Sequence, residues 1–192
     1  MILNVKTALS SYPIVLERGV LNKASEHLKL DRRCLILTDE NIPVSYVETL
    51  SAQCGEPHVF VIPAGESSKT LEMFGRVLEA MLEADFSRSD CVVARGGGVV
   101  GDLAGYVAAS FQRGVDFYNV PTTVLSQVDS SIGGKVAVNF GGLKNLVGGG
   151  SKIRLSVPGA SGLFPLLIFS FSLFTMKSLF HSPGFSDRKS VV

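Results

Sequence analysis

Through the first 150 residues, short β-branched apolar runs alternate with stretches of helical periodicity, the pattern of a parallel sheet with crossover helices. Residues 12–16, 34–37, 58–62, 91–94 and 117–120 read as strands. The clearest helix covers 70–85, where Leu71, Phe74, Leu78, Met81 and Leu82 fall on one face. Glu72 in its first turn suits the positive end of the helix dipole. A second helix is predicted from Pro43, a residue favoured in the first turn because its missing N–H has no intrahelical partner there. These elements predict an α/β fold, a Rossmann-like parallel-sheet domain over residues 1–150.

The pattern breaks near residue 150. Residues 151–192 carry five basic groups, one acid (Asp187) and six of the twelve Phe, with no charge between 155 and 176. That stretch is long enough to span a bilayer, but Pro158, Gly159, Gly162, Pro165 and four serines interrupt it. A poorly ordered or loosely docked apolar tail is therefore expected, in preference to a membrane anchor.

Overall charge adds little: 18 Lys+Arg against 17 Asp+Glu leave a net +1, so no global field would hold the chain on nucleic acid or an anionic membrane. Cys34, Cys54 and Cys91 form no C-x-x-C and lie in predicted strands or helices, which suits reduced core thiols. The N-terminal residues have the character of neither a secretory signal nor a transit peptide, so a cytoplasmic location is expected.

The strongest chemical signal is CVVARGGGVVGDLAG, a buried-strand pattern running into glycines and then a helical pattern. Such glycines let the backbone approach a pyrophosphate whose charge the following helix N-terminus meets, although the string alone also fits a plain strand-to-helix turn. Asp102 would repel a phosphate beside it and is expected at a ribose or nicotinamide group. Glu66 and Lys69 lie in a turn at a strand's carboxyl end, as a ligand loop or a solvated pair. Asp39 ends its strand where a ribose-binding acid often sits. It precedes the glycines, however, whereas the usual fold puts that acid about 20 residues after them. A third stretch places Arg113, Thr122, Thr123, Asp129, Lys135, Lys144 and Asn145 among glycines, a mixture suited to an anionic, hydroxylated ligand. His27, His58 and His181 are isolated and form no metal-ligand or nucleophile–base pairing.

Together these motifs resemble the ordered motifs of the 3-dehydroquinate synthase family: Tyr12-Pro13-Ile14-Val15, Thr38-Asp39, Gly65-Glu66 through Lys69, Gly96 through Asp102, Arg113-Gly114, Pro121-Thr122-Thr123, Gln127 through Ser131, Gly133-Gly134-Lys135 and Lys144-Asn145. The resemblance covers about residues 1–150. It implies conversion of 3-deoxy-D-arabino-heptulosonate 7-phosphate to 3-dehydroquinate and phosphate, with bound NAD oxidising and re-reducing a substrate alcohol. It also implies that Asp39, Glu66, Lys69, Gly97, Gly98, Val99, Asp102, Thr122 and Thr123 bind NAD, with Lys144 near cofactor or substrate. Asp129, Lys135 and Asn145 would meet the sugar phosphate, and Arg113 would reach a partner subunit's phosphate in a homodimer. Another sugar phosphate cyclase, or a nucleotide-binding module without catalysis, would share this scaffold.

Two departures from the family pattern stand out. Arg95 occupies a usually apolar position before the glycines and is expected to disturb strand packing; Phe140-Gly141-Gly142-Leu143 replaces the usual residues before Lys144. In the family a helical domain then supplies one Glu and two His to zinc or another divalent metal. Nothing after Ser151 resembles it. The expectation is an NAD-binding fragment, inactive alone, followed by an unrelated tail over 151–192.

Overall fold

The computed structural model describes residues 1–6, 11–150 and 153–156, with Gly150 and 153–156 described by backbone alone. Seven strands form one sheet: β1 (Ile2–Lys6), β2 (Ser11–Val15), β3 (Arg33–Asp39), β4 (Glu56–Ile62), β5 (Cys91–Gly96), β6 (Asp116–Pro121) and β9 (Ile153–Ser156). Their order is β1-β2-β9-β6-β5-β3-β4, parallel except for the β1–β2 pair. A separate antiparallel hairpin joins β7 (Lys135–Phe140) to β8 (Leu143–Gly150). All five strands expected from the sequence are present, each longer or displaced by one to three residues.

The sheet is covered on both faces, which is why its central strands are continuously apolar rather than alternating. Leu35 and Leu37 of β3, with Val92 and Ala94 of β5, pack beneath helices α2 (Leu71–Glu83) and α3 (Gly98–Ser110). Their neighbours Cys34, Ile36, Cys91 and Val93 point the other way, towards α1 (Val44–Ser51) and the 3₁₀ segment Val20–Glu26. Burial of each large aliphatic side chain contributes about 2 kcal/mol.

Helix α2 begins where the sequence places it. The Thr70 hydroxyl accepts from the Met73 N–H at 3.1 Å and caps the helix. Its buried line is Met73, Val77 and Met81, however, with Leu71, Phe74 and Leu78 half-buried beside it. Leu82, expected on the core face, is 65% exposed. It follows Met73 by nine residues, and at about 100° per residue that puts it half a turn away from the core.

β9 lies between β2 and β6, so an ending at residue 150 leaves out four residues of the sheet. The remainder of the expected tail, residues 151–152 and 157–192, lies outside the described residues. Among the described residues no helix is long and apolar enough to cross a membrane.

Candidate nucleotide-binding site

The chain order creates a crevice. From β3 the path runs through α1 to β4 on one side, while from β5 it runs through α3 to β6 on the other, so β3 and β5 flank the point where the winding reverses. Carboxyl ends of strands separate there, and open α/β sheets bind ligands at that place. Here lies a cavity of about 550 Å³, lined by the end of β3 (Asp39), the start of α1 (Pro43, Tyr46), the glycine turn (Gly97, Gly98, Val99) and the residues after β6 (Thr122, Thr123).

Helix α3 opens onto this cavity without a side-chain cap, and Gly97 takes the cap position in extended backbone. The first N–H groups of a helix have no intrahelical partner, so its positive end is available to an anion. Neither Gly97 nor Gly98 needs a left-handed conformation; what they supply is room. A Cβ on Gly97 would stand 3.3 Å from Thr123 Cγ2, and one on Gly98 would stand 3.2 Å from Ser130 Oγ. Gly96 is tighter, since a Cβ there would reach Val100 Cγ2 at 2.5 Å.

Thr122 and Thr123 differ. The Thr122 hydroxyl oxygen is buried and has no hydrogen-bond partner among the described residues, while its backbone N–H donates to Gly96 O at 2.9 Å. The Thr123 hydroxyl is already engaged with Ser126, whose N–H donates to it at 3.2 Å at the start of the π-helical turn Ser126–Ser130. Asp39 Oδ1 accepts from the Asn41 N–H at 2.9 Å and thereby fixes the turn after β3.

Beside the cavity lies a polar network drawn from three segments. Lys69, 4% exposed, donates to Asp102 of α3 and to Asn145 of β8. It is therefore no solvated partner of Glu66. Glu66 Oε1 instead accepts from Asn139 Nδ2 at 2.9 Å. Burial raises the Asp102 carboxyl above its ordinary value, and the nearby Lys69 ammonium opposes that rise without cancelling it.

The hairpin delivers Asn139 and Asn145 to this network. Gly141 and Gly142 both have positive φ, 60° and 79°, as a two-residue turn that matches strand twist requires. The register shifts between Val138 and Phe140, and Asn145 takes φ 55°; such bulges re-aim side chains. Asn139 N donates to Lys69 O at 2.9 Å, tying the hairpin to the turn before α2. Asn139 was not singled out from the sequence, although two glycines between alternating runs are a hairpin signal.

Arg113, Asp129, Lys135 and Lys144 are exposed and lie outside both the cavity lining and the network. Arg113 and the preceding Gln112 both have positive φ, 68° and 46°, in a tight turn ahead of Gly114. Arg95 does not disturb β5: its register with β6 runs unbroken from Cys91 to Gly96, and its side chain reaches the cavity wall. Among the described residues no group of three His, Cys, Asp or Glu is placed to hold a metal ion.

Residues 59–155 match the family model described as 3-dehydroquinate synthase N-terminal. The chain is 44% identical over 149 residues to a 3-dehydroquinate synthase of Idiomarina loihiensis, a match covering 76% of this chain and 42% of that relative. The chain thus spans about two fifths of the length of the curated relatives it matches. Among solved structures, 2-deoxy-scyllo-inosose synthase complexed with carbaglucose-6-phosphate, NAD⁺ and Co²⁺ superposes with a TM-score of 0.76 at 27% identity, over 82% of this chain and 44% of that one. The 2-epi-5-epi-valiolone synthase of Streptomyces hygroscopicus subsp. jinggangensis, with NAD⁺ and Zn²⁺ bound, gives 0.71 at 32% identity, over 81% and 44%.

Proposed function

Because this chain belongs to the 3-dehydroquinate synthase N-terminal family, we propose that it is the nucleotide-binding part of such a synthase, with NAD seated in the cavity at the β3/β5 switch point. One observation carries this reading. The uncapped start of α3, two glycines with little room for a side chain and Thr122, whose buried hydroxyl has no partner among the described residues, all line one cavity. The two cyclases described above, each solved with NAD⁺, add support.

Bound NAD supplies reversible uptake of a hydride from a substrate alcohol. The chain's own residues bind and orient. Backbone N–H groups at Gly98 and Val99 meet the pyrophosphate, and Gly97 allows its close approach. Asp39 accepts from a ribose hydroxyl, and Thr122 and Thr123 line the same cavity. Lys69, held between Asp102 and Asn145, keeps a fixed ammonium beside the cavity, with Glu66 anchored through Asn139.

The substrate under this reading is 3-deoxy-D-arabino-heptulosonate 7-phosphate, yielding 3-dehydroquinate and phosphate. Asp129, Lys135, Lys144 and Asn145 meet it from the π-helical turn and the hairpin, and Arg113 reaches a partner subunit in a homodimer. Zinc or a similar divalent metal needs about three protein donors. The described residues do not offer such a set. Under this reading the 192-residue polypeptide binds dinucleotide, and it is proposed to be inactive alone. Free thiols at Cys34, Cys54 and Cys91 suit a reducing cytoplasm. Another sugar phosphate cyclase or a non-catalytic module would use the same cavity; 44% identity to a dehydroquinate synthase, against 27–32% to the other cyclases, favours the first reading.

The test is calorimetric titration of the 192-residue chain with NAD. Saturable binding at one site is the expected outcome, and a demonstrably folded chain that takes up no NAD overturns the reading.

A further inference from the structure

Arg95 is the most buried charge on the cavity wall. It sits in β5 two residues before the glycine turn and is 2% exposed. Its guanidinium lies 5.0 Å over the Tyr46 ring of α1. Nη1 reaches Val120 O only at 3.5 Å, the limit of a hydrogen bond, and Nε has no partner among the described residues. Among the described residues no carboxylate neutralises it, and burial pulls it down to about 10, which still leaves it protonated at neutral pH. The other deeply buried cation near the cavity, Lys69, is paired with Asp102.

A buried cation with unfilled donors is costly unless an anion arrives to complete it. Arg95 lines the same cavity as Gly97 and Gly98. A planar guanidinium stacked on an aromatic ring is also held in a fixed orientation, which suits a phosphate oxygen better than a flexible ammonium would. Asp39 lines the cavity too, but its Oδ1 is occupied by the Asn41 N–H and its charge favours a hydroxyl rather than a second anion at its own end.

We infer that Arg95 is a specificity-determining residue of the cavity, holding a phosphate oxygen of the nucleotide that enters it. This rests on the reading of the cavity as a dinucleotide site and adds to that reading a selectivity for phosphate-bearing over phosphate-free ligands. A merely structural Arg95, packed on Tyr46 to fill space, would produce no such selectivity.

The experiment titrates the full 192-residue chain with NAD, ADP and adenosine, in the wild type and in Arg95→Met and Arg95→Lys, with circular dichroism and thermal melting confirming that each is folded. Arg95→Met should weaken ADP and NAD about tenfold or more while leaving adenosine unchanged, and Arg95→Lys should recover part of the loss. In parallel, the Arg95 Nε–H resonance of the wild type should shift on adding ADP and stay still on adding adenosine, a readout that needs no variant to fold. Unchanged ADP affinity in Arg95→Met, equal loss for ADP and adenosine, or a resonance that ignores ADP overturns the inference while leaving NAD binding intact. Arg95-dependent binding of ADP without any binding of NAD sustains the inference and removes the cofactor reading. A folded wild type that binds none of the three removes both.

Discussion

Lys69 and Asp102, thirty-three residues apart in sequence, form an ion pair whose side chains are only 5% and 19% exposed. It fastens the turn before α2 to the body of α3, and Asn145 completes it from the hairpin. Removing one member of such a pair leaves the other charge stranded in low dielectric. Lys69→Ala should therefore destabilise the fold by about 3 kcal/mol, read by urea unfolding. Little or no loss of stability would mean that the pair is open to water.

The same pair sets a pH dependence. Burial holds the Asp102 carboxyl above its ordinary value, so the native state keeps a proton where the unfolded chain has lost it. Asp102 thus contributes stability below its native value, and that contribution is lost as pH rises through it. Lys69→Ala removes the opposing cation and should widen this window upward. Unfolding of the variant across the mildly acidic range should show stability falling as pH rises, more steeply than in wild type; a parallel pair of curves contradicts this.

Gly98→Val tests the glycine turn. A Cβ at Gly98 already stands 3.2 Å from Ser130 Oγ, and the two methyl groups beyond it would crowd the start of α3 where an anion must approach the N–H groups. NAD binding should disappear in calorimetry while the chain stays folded. Retained affinity would place the pyrophosphate elsewhere.

Gly105 answers a packing question in the middle of α3. A Cβ there would stand 2.5 Å from Val136 Cγ1 and 3.2 Å from Phe117 Cε1, so the helix can lie on β6 and β7 only without one. Gly105→Ala should cost about 1–3 kcal/mol through overpacking, despite alanine's better helix propensity. A thermal transition at or above the wild-type temperature would show that the hairpin yields easily.

Two shortened chains test β9. One ending at Ser156 keeps the strand between β2 and β6; one ending at Gly150 loses it, and with it the Ile14↔Ser156 pairing that ties β2 to the parallel sheet. The longer should retain a cooperative thermal transition, and the shorter should melt earlier or less cooperatively. Identical transitions would show that β9 adds nothing to the fold.

Much of the fold was legible because its signals are local. Apolar runs at strand length, the Pro43 and Thr70 helix starts and the glycine-ended β5 are each written within a dozen residues, because side-chain period and helix capping depend on sequence neighbours. Motifs such as Asp39, Gly97 and Thr122 could also be picked out one by one. That they share a cavity could not, because strand order is decided by crossover handedness and packing between segments far apart. The same reason hid the outward turn of Leu82, the binding of Lys69 to Asp102 rather than Glu66, and the reach of Asn139 into the network. Arg95 is the sharpest case. The sequence marked it only as a charge in an apolar strand, whereas the packing of α1 gave it Tyr46 to lie on and the switch point gave it a cavity to face. Periodicity marked strands β2 to β6 and helices α1 to α3; only the tertiary structure added β1, the hairpin and β9 and decided which charges are paired, because a buried charge takes its partner from whatever the fold brings within a few ångströms.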